Sequence, residues 1–421
     1  MGESRRSLGG WDYILIAAVM GLMGAFYWAI RGTGGFGGAT GGTFAGFGWA
    51  LLWLAFSRHG GADGERRPYS NPWMLWAITL GMAFGGLTGY GVYISWLNGH
   101  FFLNHPEGMR DVGAWTGYTM LFVCGLHWGG NTGCFMAWCA PSRNVTWKGW
   151  LIRITCGIAG AVAAGIIVRV FPHWFLPFYD EGLYGMEEYA TCRRALGSIR
   201  NIAPHVGLAA GFLGYELARK DWRAAGMILT MALGFAIPFT VGGYWQTMHG
   251  SELRIDWWKN WEMTIGLGGG LAFGLAFYLF NLPGEAPRRP LGLGSRVFFR
   301  SGFPLWLPLA VIALSAYNGW TGHFAIERSP GVRYALLILS ACPFLIACFL
   351  GKWRGLEEKN ALLWLSLPAV CVFQLLLIAA GYLVSIHPEL QLANKVLLTL
   401  YSIYIGLSVA AVVRLVYRRG T

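Results

Sequence analysis

Two polar side chains sit where burying them is costly. His127 and Asn131, in the apolar stretch CGLHWGGNTGC, are four residues apart, so on a helix they share one face, one turn apart. Ionisable or amide groups at membrane depth are expensive to bury and commonly mark function. This pair could bond a neighbouring helix as structural glue, or line the path of a polar solute. No Asp or Lys lies within an apolar stretch away from its ends. Coupling to protons or sodium through a midplane carboxylate is therefore not expected.

A second concentration lies in two connections. Residues 179–200 carry Asp180, Glu181, Glu187, Glu188, Arg193, Arg194 and Arg200, with His205 just beyond. The segment YWQTMHGSELRIDWWKNWE carries Trp245, His249, Glu252, Arg254, Asp256 and Glu262 among further tryptophans. Arg31, between the first two apolar stretches, falls on the same side. Guanidinium groups offer paired donors, carboxylates accept from hydroxyls, and indoles stack. That chemistry suits a small polar or glycan-like ligand, and two carboxylates could also exchange protons with it. The plainer alternative is a solvated loop face above a belt of interfacial tryptophans. The histidines show no H-x-x-x-H spacing and the eight cysteines no C-x-x-C pair, so neither a metal site nor a disulfide framework is expected, and no cofactor motif is present.

These residues must be held by membrane helices. The chain has 421 residues, 55% hydrophobic and 12% charged, about half the charge of a soluble domain. Runs long enough for a hydrocarbon core of about 30 Å predict twelve spans: 11–30, 33–56, 72–97, 113–139, 150–172, 201–218, 224–246, 261–281, 302–320, 334–351, 361–385 and 393–415. Alternating connections then place 20 of the 32 basic residues on the side shared by both termini. By the positive-inside rule that side is the cytoplasm and the chain lies in the inner membrane of a cell. The net charge of +12 is thereby accounted for by topology, and nucleic-acid binding is not expected. The first apolar run lacks a small-residue cleavage site and reads as a retained helix.

Glycine organises the first eight spans. Gly34, Gly38 and Gly42 follow a four-residue rhythm that allows close backbone approach in lipid, where no hydrophobic force joins helices. Similar small-residue runs recur in spans 4, 6 and 8, which suggests a four-plus-four parallel repeat with those helices at the centre. Spans 9–12 are richer in Leu, Ile and Ala. The expected fold is thus an all-α polytopic membrane protein: a glycine-rich core over 1–281, a basic cytoplasmic linker over 282–300, and a four-helix addition over 301–421 that faces lipid or a membrane subunit partner. The loop SRHGGADGERRPY is similar to the Gly-Asp-Arg-rich loop of major facilitator carriers, which also have twelve spans. The connection at 219–223 is much shorter than in those carriers and the repeat is not six plus six, so the chain is not assigned to them.

Three functions follow as expectations. The first is a permease-like protein handling a small polar solute from the outer face. The second is a membrane-embedded enzyme acting at the outer leaflet on a lipid-linked or glycan substrate. The third is a non-catalytic subunit of a membrane complex.

Overall fold

The computed structural model describes residues 8–283 apart from 34–37, 58–66, 71–72, 89–92, 102–109, 144, 187–189 and 253–254, together with residues 399, 403 and 406. Spans 9–11, nearly all of span 12 and nearly all of the linker therefore lie outside the described residues.

The regular structure described is helical: α1 (Gly10–Thr33), α2 (Gly38–Ser57), α3 (Trp73–Gly85), α4 (Ile94–Leu97), α5 (Ala114–Cys139), α6 (Trp147–Val170), α7 (Ala190–Ala218), α8 (Trp222–Gly242) and α9 (Trp257–Phe280). Only an isolated bridge between His100 and Asp111 interrupts this among the described residues. Among the described residues, four stretches are long and apolar enough to cross a membrane: Gly10–Ala29, Trp147–Val170, Trp222–Met248 and Trp257–Phe280. The apolar helices are those of a membrane protein, because such surfaces find no favourable solvent in water.

Boundaries differ from expectation in three places. Helix α1 continues through Arg31 to Thr33, so Arg31 belongs to its last turn. Helix α7 starts at Ala190, well before residue 201, and carries Pro204 inside it. The expected span 72–97 is interrupted. Helix α3 stops at Gly85, and the chain tightens through bonds from Leu87 N to Phe84 O (3.2 Å) and Thr88 N to Gly85 O (3.4 Å). Gly85 and Gly86 supply the reason, since glycine disfavours a helix interior by about 1 kcal/mol each relative to alanine.

The glycine-rich helices do not gather at a common centre. Each pairs with one neighbour: α2 with α3, α5 with α8, α7 with α6, and α9 with α1. Gly24 and Gly266 meet backbone to backbone across α1 and α9, as do Gly160 and Gly207 across α6 and α7; a methyl on any of them would overlap the opposite carbonyl oxygen. Elsewhere glycine makes room for rings, as at Gly85 beneath Trp128 and Gly269 beneath Phe235.

Those rings fill the middle of the bundle. Trp28 lies 4.7 Å from Trp128 and 5.8 Å from Phe235, and Trp49 lies 4.9 Å from Phe273, centroid to centroid. All five are fully buried. The tryptophans thus divide into two populations. Trp11, Trp115, Trp147 and Trp222 are exposed at the starts of α1, α5, α6 and α8, as an interfacial belt requires. Trp28, Trp49, Trp53, Trp96, Trp128 and Trp261 are interior packing.

The described connections sort onto two ends. On one, Asp221 accepts from Ser142 N (3.0 Å) and caps α8 through Ala224 N (3.1 Å). The same end holds Tyr69, whose surroundings include Arg223, Cys139 and Asp221; burial raises its phenol well above the ordinary range, so it stays neutral. On the other, Arg110 before α5 pairs with Glu181 before α7. This is the alternation expected of antiparallel neighbours.

Candidate functional site

Where α3 breaks, it meets α5 and α7, and the buried polar groups converge. His127 has 0% exposure. Its Nε2 lies 3.0 Å from the Gly85 carbonyl and in hydrogen-bond contact with Thr88 Oγ1. A carbonyl can only accept, so Nε2 carries the ring proton. The Thr88 hydroxyl in turn donates to Gly85 O (3.2 Å). The imidazole therefore satisfies the last turn of α3 that its glycines left open. The other nitrogen, Nδ1, is left on the side of the ring turned to its own helix, where the Val123 and Cys124 carbonyls lie near. It is buried without a hydrogen-bond partner among the described residues.

Asn131 holds the neighbouring wall. Its Nδ2 donates to His127 O (2.8 Å) within α5 and to His205 O (3.3 Å) on α7. His205 follows Pro204, which lacks the N–H that would continue the helix ladder. The His205 ring sits 5.9 Å from that of His127 and 4.7 Å from Phe84. Its Nδ1 lies 2.7 Å from Asn201 O and so donates. His205 is half-buried, so the cluster grades from a sealed imidazole to one nearer the surface. The result is two histidine rings side by side and an amide bridging the helices that carry them.

The connections expected on the outer side are put to separate uses. Glu181 takes both Nη atoms of Arg110, with Nη2 to Oε1 at 2.9 Å, and the Arg110 guanidinium lies 3.8 Å from the Phe178 ring centre. The Arg110 fork holds the Glu181 carboxyl below its ordinary range. Glu262 pairs with Lys259 at 2.6 Å, and Lys259 Nζ also donates to Ala29 O at 3.2 Å, tying α9 to the last turns of α1. Asp256 is the N-cap of α9 through Lys259 N (3.0 Å). Asp180, Glu252, His249 and Arg194 are exposed, and His249 Nε2 meets Gln246 Oε1 at 3.1 Å. Trp245 stacks on Trp257 (5.8 Å, 12°) and donates to Thr264 Oγ1 at 3.0 Å. Among the described residues these side chains serve as a clasp, a cap and a tether, and as exposed carboxylates. Arg254 and the side chains of Arg31 and Arg193 lie outside the described residues.

Sequence reasoning missed a buried ion pair. Arg153 of α6 and Glu216 of α7 meet at 2.6 Å, both side chains with 0% exposure, and Arg219 adds a second contact at 3.3 Å. Trp150, Tyr215 and Trp138 surround the Arg153 guanidinium at 4.4, 5.4 and 5.5 Å. Arg153 inside an apolar run was the available signal; its partner, distant in sequence, was not. Among the described residues no three His, Cys, Asp or Glu side chains gather as a metal site would need. No protein-family model, curated protein or solved structure matches the chain.

Proposed function

We propose that the chain is a multi-pass, permease-like protein of the inner membrane that handles a small polar solute from the outer face through the junction of α3, α5 and α7. In this reading α2, α5 and α7 also span, α3 and α4 form one interrupted span, and the full count is twelve with both termini cytoplasmic. Helix α5, with 26 residues, reaches about 39 Å and exceeds a hydrocarbon core of about 30 Å. The observation that carries the proposal is the buried His127, whose Nδ1 makes no hydrogen bond among the described residues, beside a broken helix. Irregular backbone at membrane depth is tolerated where it is sealed by protein or lines a polar cavity, and interrupted helices commonly build solute sites. The imidazole and amide groups at this junction favour a neutral solute that hydrogen-bonds. The dispersed outer carboxylates favour this over the enzyme reading.

The test is isosmotic swelling of proteoliposomes holding the full chain, challenged in turn with glycerol, erythritol and urea. At least one solute should enter faster than into protein-free vesicles, and the double variant His127→Ala, Asn131→Ala should return that rate to the protein-free value. Wild-type rates equal to protein-free rates for every solute, or an unchanged rate in the correctly folded double variant, would end the proposal.

A further inference from the structure

A second buried arginine is paired in a different way. Arg67, between α2 and α3, is 2% exposed. Its Nη1 donates to Asn281 O (2.7 Å) and Tyr13 OH (3.2 Å), and its guanidinium lies 5.7 Å from the Phe277 ring and 5.9 Å from that of Tyr13. Those partners are neutral. Among the described residues Nε and Nη2 make no hydrogen bond and no carboxylate pairs with Arg67. The pattern is specific, because these two nitrogens lie along one edge of the planar guanidinium. That edge is the paired donor that fits two oxygens of one carboxylate or phosphate. Arg153 shows how the same chain treats a buried guanidinium when its counter-ion is internal: Glu216 lies against it. A buried cation without a counter-charge is strongly disfavoured. The surroundings of Arg67 are also rigid. Asn281 accepts from Tyr69 N (2.9 Å) and donates to Ser57 Oγ (3.0 Å), so the fork is pre-oriented by α1, α2 and α9 together.

We propose that Arg67 is an oxyanion-binding residue, presenting its Nε–Nη2 edge to a phosphate group at the end of the bundle that carries Asp221, Arg219 and Arg143. The site does not rest on the permease reading. Phosphate could come from an anionic lipid headgroup or from free phosphate in solution, and a thermal-unfolding experiment on the full chain separates the two. One arm compares inorganic phosphate with chloride at equal ionic strength in neutral detergent. The other compares nanodiscs of phosphatidylcholine with nanodiscs containing phosphatidylglycerol. Wild type should gain roughly 2–4 °C in one arm or both. Arg67→Gln should lose that gain, and Arg67→Lys should retain less than half, since an ammonium lacks the fork. Lys220→Gln, on the exposed surface nearby, should keep it. Gain only with phosphatidylglycerol identifies the headgroup; gain with both identifies a general phosphate site. If Arg67→Gln does not fold, Arg67→Lys and the wild-type arms decide. A wild type that responds to neither ligand, as would follow if Asp63 or Glu65, outside the described residues, served the fork, overturns the proposal. So does an Arg67 variant that responds as wild type does.

Discussion

Helix α5 has two faces that are packed on opposite principles. Toward α8, the row Gly125, Gly129 and Gly133 brings backbones so close that a methyl at any of the three would overlap α8 main chain. Half a turn away, the row His127 and Asn131 faces α3 and α7 and meets them through hydrogen bonds. The first seam is dry and gains stability from dispersion between close backbones. The second depends on satisfying polar atoms and leaves one of them free. The α6–α7 hairpin extends the polar side, with Arg153 and Glu216 buried between helices whose outer surface, through Ile154, Ile158 and Ile166, is exposed and apolar. The lesson is that close approach fixes geometry without leaving anything to react, whereas the polar seam can exchange partners.

This contrast can be broken experimentally. The largest effect is expected at the dry seams. Gly266→Leu forces α9 away from α1, and overpacking against backbone should exceed the ~1–3 kcal/mol usual in cores that can adjust. The checking measurement is size-exclusion profile and unfolding temperature in detergent; a monodisperse variant with wild-type stability would mean that the seam is not closed. Next is Glu216→Gln, which leaves Arg153 buried without its counter-ion and should cost about 3–5 kcal/mol. The paired replacement Arg153→Met with Glu216→Leu should recover most of that loss in the same unfolding assay. Failure to recover would mean the pair does more than balance its own burial. The smallest effect belongs to the exposed Arg110–Glu181 clasp. Glu181 has a lowered folded-state pKa, so its contribution is present above the ordinary carboxylate range and is lost as pH falls through the folded value. The unfolding temperatures of wild type and Glu181→Gln should differ slightly near neutrality and converge in acid. A gap that widens on acidification contradicts the assignment.

The sequence shows some of this directly. Apolar runs locate the helices, and the four-residue spacing of His127 and Asn131 places them on one face before any coordinates. The interruption of α3 had a signal in Gly85, Gly86, Gly89 and Gly91, but in a chain with 62 glycines such clusters also mark tight helix packing. The roles of the acids in the two polar connections were not legible. Asp256 precedes an apolar helix, as an N-cap does, yet it stands among residues that also suit a ligand. Glu262 is spoken for by Lys259, three residues before it on the same helix. The interior tryptophans escaped notice for a different reason: composition counts rings but does not say which glycine each one rests on. Pairings such as Arg153 with Glu216 depend on which helices become neighbours, and local pattern carries no record of that.

The knot around Asn281 has a consequence for biogenesis. It joins the start of α1 through Tyr13, the end of α2 through Ser57, and the turn at Arg67 and Tyr69, all more than 200 residues earlier in the chain. Helix α1 finds its closest partner in α9 as well. Helices α1 and α2 are made before α9, so their ends cannot be tied until it follows. Until then, Arg67 and the glycine face of α1 have no final partner. Chains released before Phe280 should remain open and be prime substrates for membrane proteolysis, however well their individual helices insert.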